Sequence, residues 1–580
     1  MISDQRRGLP ASLQLLYFAA VAIWLLWPLP LYFTTALPTG DSPTATVPML
    51  NAWIVWWNSE SLLRGFVDYW DAPIFHPSPG ALALSEPQPA TLAMAPIVYG
   101  IGPVAAYNSY AIASLLLNGW FASRLLRTMG ASNLAALAGG TAVELHPLAL
   151  NNLEALQLVP MWSVMWTIDL LFRFRRTADL FTGSLVGVAL GVTALLSLHH
   201  TLFFGILLAM SSWTLLMKEP ASFKDQEFLP ARRPIWLWPG GGLLAVATCL
   251  LISLPVVLPV LSIHQQYGFA RSDSLVAALS ATWADWWTTN STAWIRSGSL
   301  DLCSFPLLPG VLRTVLATFG LCWCFRFSPR CCGFLLLMLL GSLTLSFGTH
   351  LSLGEWQLWP NLTDWLPPLS RVRSPYRFAY FTQLAIVLLA SFVVGRCNSW
   401  ISSRVSGVGV SGRMRVVKPA CVAGQILLFA VVVLEVMPPR THLAFTPLAG
   451  QMPAWVDFVA HETPADKAIV CLPVARDVSE LANQQETVWM LYATQHQIPL
   501  VNGYSGFTPR PWATLRPQLA NGSLDPKMLA TLRSMGVHFL VIRKDKVQDS
   551  VLEFVRGCQG CRSRFEDEWS LIVELQSSEV

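Results

Sequence analysis

The chain has 580 residues, of which 53% are hydrophobic and only 12% charged, and its formal net charge is +4; its mean hydropathy is +0.48. Soluble domains carry about 25% charged residues, so this composition excludes a soluble globular chain and assigns most of the residues to lipid. A net charge this small for the length offers nothing to nucleic acid.

The N-terminus opens with Arg6-Arg7 and an apolar run over 12–33. The run is too long for a signal-peptide core and no small-residue cleavage site follows, so it reads as a first transmembrane helix. Further apolar segments of spanning length fall at 104–123, 131–148, 153–172, 179–198, 201–217, 236–262, 305–325, 332–348, 376–395 and 420–437. That makes about eleven spans of about 17–25 residues each. The stretch 91–103 is apolar but short and holds Pro96 and Gly100, which suits an interfacial or re-entrant helix.

The basic residues alternate between loops. One set holds Arg6-Arg7, Arg124, Arg127, Arg173 to Arg176, Lys218 through Arg233, Arg326, Arg330 and the block Arg396 to Lys418. The other set (34–90, 263–304 and 349–375) holds only Arg64, Arg271, Arg296, Arg371 and Arg373. The positive-inside rule therefore places the N-terminus in the cytoplasm, and an odd span number places the C-terminus outside. The expected architecture is a polytopic α-helical membrane protein of the cytoplasmic (inner) membrane. Residues 1–437 form the membrane domain, with a large outer loop at 34–90, and 438–580 form a small extracytoplasmic α/β domain. In that last part 452–460, 480–494 and 525–535 read as helices, and 468–473, 539–543 and 569–574 as strands.

Of the eleven cysteines, most lie in apolar runs and behave as small hydrophobes. Cys558 and Cys561 form the one close pair; lacking a second pair for zinc, a local disulfide is expected there if the tail is extracytoplasmic.

The first outer loop concentrates the chemistry. Asp41 follows the first span directly, in a Gly/Pro/Ser/Thr loop, and Asp68, Asp71 and Glu86 follow it among many Trp and Tyr. The bland reading is a solvated loop with aromatic interfacial anchors. The functional reading makes Asp41 a general base on an acceptor hydroxyl, with Glu86 a second acid in the same site. Arg371-Val-Arg373-Ser-Pro-Tyr-Arg377 puts a cationic cluster on the outside, where positive charge is otherwise scarce. Guanidinium forks suit a phosphate, and snorkelling to phospholipid heads is the alternative. Arg377 falls one helical turn from Arg373 if the helix begins near Pro375. Glu154 and Gln157 open a span and would share a helix face, positioning donor or acceptor or simply bonding helices together. His199-His200 ends another span, where an interfacial role is expected. No Walker motif, dinucleotide fingerprint or nucleophile elbow is present, and no cofactor is implied.

Several strings are similar, in order along the chain, to a bacterial group of membrane glycosyltransferases of the GT-C type. They are Asn51-Ala-Trp-Ile-Val-Trp-Trp57, Asp71-Ala-Pro-Ile-Phe-His-Pro77, Ala105-Ala-Tyr-Asn108, Leu117-Asn-Gly119, Arg373-Ser-Pro-Tyr-Arg-Phe378, Pro499-Leu-Val-Asn-Gly-Tyr-Ser-Gly-Phe507 and Leu532-Arg-Ser-Met-Gly-Val-His-Phe-Leu540. The resemblance implies transfer of a sugar from a polyprenyl-phosphate-linked donor to an extracytoplasmic acceptor (glycan, lipid or protein). It places the family's first-loop acid on Asp41 and its second acid on Glu86; Arg371, Arg373, Arg377, Glu154 and Gln157 are substrate-binding candidates on the reading of the residues above. Many relatives carry adjacent first-loop acids; here Ser42 follows Asp41, and a single carboxylate holds a divalent cation poorly, so no metal is expected. The other classes in view are a transporter or flippase of a lipid-linked saccharide, which would show inverted repeats, and a non-catalytic protein of the same fold.

Overall fold

In a computed structural model, the structure describes residues 10–216, 237–289, 305–406, 423–424, 426–438, 440–522 and 524–576. The expectations for Arg6-Arg7, Lys218 to Arg233, Arg296, Arg413 and Arg415 lie outside the described residues.

The membrane part is helical. Its long helices are Ala11–Leu25, Pro103–Thr128, Trp162–Thr177, Leu180–Leu196, Leu198–Ser211, Leu237–Tyr267, Val311–Phe327, Pro329–Ser346 and Ala379–Ser406. Among the described residues three segments are long and apolar enough to cross a membrane by length and composition: Leu198–Leu216, Trp238–Tyr267 and Pro329–Ser346. On the second of these, Leu243 and Leu251 are 72% and 75% exposed, an arrangement that only an apolar solvent favours. Gly183, Gly187 and Gly191 repeat at every fourth position on Leu180–Leu196. A Cβ at Gly183 or Gly191 would sit 2.5–2.6 Å from the Gly241 carbonyl oxygen or Ile252, so the small residues let this helix and Leu237–Tyr267 close to backbone contact.

The apolar segments expected at 131–148 and 153–172 do not run as full spans. Helix Asn133–Glu144 ends early, a short turn of helix covers Pro147–Asn151, and the next long helix begins only at Trp162. Pro147 holds the residue before it, His146, in extended backbone, and carbonyls in the irregular stretch that follows are taken up by side chains. Tyr380 Oη donates to Leu148 O at 3.0 Å, Tyr107 Oη to Leu153 O at 2.7 Å, and Asn51 Nδ2 to Glu154 O at 3.0 Å. Non-helical backbone at this depth survives because each group finds a protein partner.

The long first loop, 34–90, is built into the core. Its helix Thr46–Leu63 buries Trp53, Trp56 and Trp57 to 5% exposure or less. It packs on Pro103–Thr128 and on Gln484–His496 of the C-terminal part. These indoles were expected as interfacial anchors; they fill a core that runs continuously from residue 37 to residue 575. Asn58 organises the loop, donating to Pro87 O, Gln88 O and Thr91 Oγ1 at 2.8–3.0 Å and accepting from Tyr69 Oη. Strand Ala36–Pro38 pairs antiparallel with Leu443–Phe445, which ties the chain entering Asp41 to the chain leaving the last helices.

The C-terminal part is an α/β layer. Its four-stranded sheet runs, in spatial order, Ala468–Leu472, Val537–Arg543, Ser570–Leu575 and Cys561–Glu566; the first two are parallel and the others antiparallel. Cys561–Glu566 is an edge strand with exposed Arg562 and Arg564. Its charges discourage edge-to-edge association, and they also hid it from a hydrophobic pattern. The disulfide expected between Cys558 and Cys561 is absent, and both thiols are free. The Cys561 N–H closes a turn onto Cys558 O at 3.2 Å and opens the strand. A third observation bears on stability. Glu486 is fully buried and accepts from Ala475 N at 2.8 Å and Asn502 Nδ2 at 3.0 Å. Replacing it with Ala leaves both donors unsatisfied and should cost about 2–4 kcal/mol of this layer's stability. Limited proteolysis of the C-terminal part against that of the membrane helices reads the loss.

Candidate active site

Glu86 is positioned from both sides. The network of Asn58 and the bond from Gln88 Nε2 to Asn51 Oδ1 at 2.5 Å fix the segment that carries it. Its carboxylate caps the helix Leu198–Ser211, accepting from Leu198 N at 3.1 Å and His199 N at 3.0 Å, and pairs with His199 Nδ1. Burial pushes this carboxyl up, but the His199 pair and the helix N-terminus outweigh burial and hold it below its ordinary value. His199, expected to have an interfacial role, is thus the partner of a first-loop acid.

Glu86, Gln157, Arg371, Arg373 and Arg377 line one cavity of about 320 Å³. Leu198, Leu202, Val257, Val260 and Leu261 form its apolar wall, and Val257 to Leu261 lie on the largely exposed helix Leu237–Tyr267. The helix that follows the arginines starts as a 3-10 turn at Pro375–Phe378 and continues as Ala379–Ser406. Arg373 therefore precedes the helix instead of sitting one turn below Arg377, and a bend before Ser374 brings the two to the same cavity. Arg377 is 8% exposed. The Nε of Arg377, the Nη1 of Arg371 and the Nε of Arg271 are buried with no hydrogen-bond partner.

Arg271 escaped the sequence reading as a site residue. It lines the cavity, donates from Nη2 to Gly506 O at 2.8 Å and lies 3.6 Å from the ring centre of Phe507. Phe507 stacks in turn on Phe269 at 4.6 Å, and its N–H donates to Leu84 O at 2.9 Å. The segment after Asn502 thus brings Gly506 and Phe507 of the C-terminal part into the cavity wall. Burial, with Arg373 and Arg377 nearby, pushes the Arg271 guanidinium down to about 10. The signal available in the sequence was the scarcity of arginine in the outer loops, which singles out Arg271 as it does Arg371.

Asp41 stands elsewhere. It is exposed, its N–H donates to Asn151 O at 2.8 Å, and it lines a smaller cleft with Gly40, Asn151, Arg440 and His442. Glu154 lies between the two openings. Expected to share a helix face with Gln157, it sits in a turn, and Gln157 lies in a separate 3-10 turn, Leu156–Leu158. Glu154 Oε2 is shielded from water with no hydrogen-bond partner, and both Asp41 and Arg377 act on its charge. Burial pushes this carboxyl up to about 8, with Glu480 and Asp41 adding to the rise and Arg377 opposing it. The unfolded carboxyl titrates near 4.5, so the folded state holds its proton longer. The stabilisation is complete below about pH 4.5, and it declines as pH rises towards about 8. The melting temperature of the native protein in detergent is therefore expected to decline between pH 5 and 8, and Glu154→Gln should flatten that decline.

Gly40 adopts φ +56°, and a Cβ there would run into the Asn151 carbonyl and come within 2.9 Å of Glu154 Oε2. Glycine is required by both the backbone and the space. Gly40→Ala should cost about 2 kcal/mol or more from left-handed strain and the clash, and it should displace Asp41, both read by thermal unfolding beside activity. Among the described residues no cluster of three His, Cys, Asp or Glu side chains has metal-binding geometry.

The helical bundle with a long structured first loop and an α/β layer is the fold of the GT-C membrane glycosyltransferases. The arabinofuranosyltransferase AftD from Mycobacteria superposes over 99% of this chain with a TM-score of 0.55 and 13% identity. This chain spans about two fifths of AftD, covering 40% of its length. Weaker likenesses are to ArnT from Cupriavidus metallidurans bound to undecaprenyl phosphate (TM-score 0.48, 15% identity, 98% of this chain and 99% of that one). The archaeal oligosaccharyltransferase AglB from Archaeoglobus fulgidus, in complex with an inhibitory peptide and a dolichol-phosphate, gives a TM-score of 0.47 at 12% identity over 92% of this chain and 69% of its own. No protein-family model matches the sequence, and no curated protein sequence matches it.

Proposed function

We propose that this chain is an integral-membrane glycosyltransferase that moves a sugar from a polyprenyl-phosphate-linked donor to an extracytoplasmic acceptor. The observation that carries the reading is the cavity itself. Buried guanidinium N–H groups of Arg271, Arg371 and Arg377 have no hydrogen-bond partner, and the three residues line a space walled by apolar side chains on a helix otherwise exposed. Unpaired cationic donors next to a lipid-like wall are complementary to a phosphate carrying a long hydrocarbon chain. The AftD-like fold is consistent with such a substrate.

The reaction is a single displacement with inversion. Asp41 takes the proton from the acceptor hydroxyl, the oxygen attacks the anomeric carbon, and the bond from that carbon to the phosphate oxygen breaks. Polyprenyl phosphate leaves with its new negative charge held by Arg371, Arg373 and Arg377. Glu86 orients the helix start that borders the cavity, and Glu154, between Asp41 and Arg377, couples the two openings. On this reading residues 1–437 form the membrane domain in the cytoplasmic membrane and 438–580 lie outside, with Gly506 and Phe507 reaching back to the cavity.

The test uses the purified full chain in lipid nanodiscs. Undecaprenyl phosphate should raise its melting temperature, and undecaprenol, which lacks the phosphate, should not. Polyprenyl-phosphate-linked pentoses and hexoses should then yield a transferred, labelled sugar with an envelope extract as acceptor. Vesicles in which the chain carries the lipid-linked sugar across the bilayer with its bond to phosphate intact would instead establish a transporter.

A further inference from the structure

A second cavity, of about 470 Å³, lies in the C-terminal α/β layer and shares no lining residue with the arginine cavity. Its place in the sheet is informative. The strand Ala468–Leu472 has a parallel neighbour on each edge: Val537–Arg543 on one, and Leu500, bridged to Ile469, on the other. The chain leaves this strand through helix Gln484–His496 to reach Leu500 on one side. It then returns through helices Arg510–Ala520 and Pro526–Ser534 to Val537–Arg543 on the other side. The connections diverge at the carboxyl end of Ala468–Leu472, which leaves a crevice at a topological switch point. The cavity occupies that crevice, walled by the loop after this strand (Leu472 to Asp477) and by Lys546 to Gln548 after the next.

The lining selects a ligand class. Arg476 and Lys546 place two cations at the rim, and the helices Gln484–His496 and Asp549–Gly557 both turn their N-terminal ends to the cavity through Gln485 and Gln548. The two cations favour negative charge; each helix end carries an acid of its own, Glu486 and Asp549, and among the described residues Asp477 is the one carboxylate that lines the cavity. Lys546 Nζ donates to Gln485 Oε1 at 2.8 Å, which leaves Gln485 Nε2 as a buried donor with no partner. No aromatic ring lines the cavity among the described residues, so nothing there stacks on a nucleobase or a flavin. Amide groups and a carboxylate over an aliphatic floor suit hydroxyls and the C–H faces of sugar rings, and the volume lies in the range of about 300–1,000 Å³ typical of small-molecule sites.

We infer that this crevice is a second binding site, for a saccharide bearing a carboxylate or phosphate group, which holds the acceptor chain away from the reacting centre. The choice of a saccharide rests on the transferase reading; the anion-binding geometry does not.

Equilibrium binding separates the two. Saturation-transfer NMR on the full chain in nanodiscs should show millimolar binding of trigalacturonate and of mannose 6-phosphate, with maltotriose and inorganic phosphate each at least about tenfold weaker. The double variant Arg476→Ser/Lys546→Ser changes only exposed residues, and it should weaken trigalacturonate at least about tenfold. Gln485→Ala should weaken it as well. In these variants the stabilisation by undecaprenyl phosphate should stay as in the native chain, and Arg371→Gln should abolish that stabilisation without touching trigalacturonate. Failure of the acidic saccharides to bind, or equal binding by maltotriose or by phosphate alone, overturns the inference, as does a double variant that binds as well as the native chain. Loss of undecaprenyl phosphate stabilisation in the native protein would instead remove the transferase reading and leave an anion site.

Discussion

Arg377→Gln is expected to lower the rate of sugar transfer by about 10²–10³-fold and to weaken undecaprenyl phosphate binding in parallel. Arg377 is the most enclosed arginine of the cavity, at 8% exposure, and its Nε has no protein acceptor. It lines the cavity, and its charge also acts on Glu154, as that of Asp41 does. A glutamine keeps much of the length but loses the charge and the fork. Arg377→Lys restores the charge as a point without the planar pair of donors, so it should recover only part of the rate. Native-like elution and helix content in both variants separate this loss from misfolding. Wild-type transfer in Arg377→Gln would remove the phosphate clamp from the proposal.

The second large effect belongs to Asp41→Asn. The side chains are nearly isosteric, the Asp41 N–H contact to Asn151 O is a backbone bond that the substitution preserves, and the residue is exposed. Stability and undecaprenyl phosphate binding should stay within error of the native protein. Transfer should fall about 10²–10⁴-fold, the range expected when a general base is removed. The pair of results is diagnostic because Asp41 lines the smaller cleft and the arginines line the larger cavity. An acceptor approaching by the first and a donor lying in the second would meet beside Glu154. If Asp41→Asn transfers normally and Glu154→Gln does not, the base lies at the partition and not at the cleft.

Much of this arrangement was legible in the residues. Arginine is rare in the outer loops, so Arg371, Arg373 and Arg377 stood out as a group, and the cavity gathers all three. The strands read at 468–473 and 569–574 run over 468–472 and 570–575, and the helix read at 525–535 runs over Pro526–Ser534, capped by Asp525, which accepts from Met528 N at 2.6 Å. Other features were invisible for identifiable reasons. An apolar run looks alike whether it is one span or a broken one, so the irregular segment carrying Glu154 was hidden. It is stabilised by Tyr107, Tyr380 and Asn51, each donating from at least 46 residues away in sequence. Trp53, Trp56 and Trp57 look like membrane anchors by composition, and only their partners in Gln484–His496 turn them into core. The stripe Gly183, Gly187, Gly191 was readable as a close-packing signal, but its partner helix was not.

The sequence alone determined the solvent and the kind of chemistry. Its low charge and its long apolar runs commit it to lipid, because the transfer free energy of apolar side chains adds along the chain regardless of how they pack. Its loop acids and arginines supply groups that proton transfer and phosphate binding would use, since those properties belong to the functional groups themselves. Only the tertiary structure decided which groups share a space. It placed Glu86 on His199 and a helix start, brought Arg271 and Phe507 to the arginines, and set Asp41 at a separate opening with Glu154 between. Those relations depend on contacts between residues hundreds of positions apart, and a local pattern carries no information about them. The opening acid of the first loop thus acquires its meaning from Asn151 and Glu154, which its own neighbours in sequence do not name.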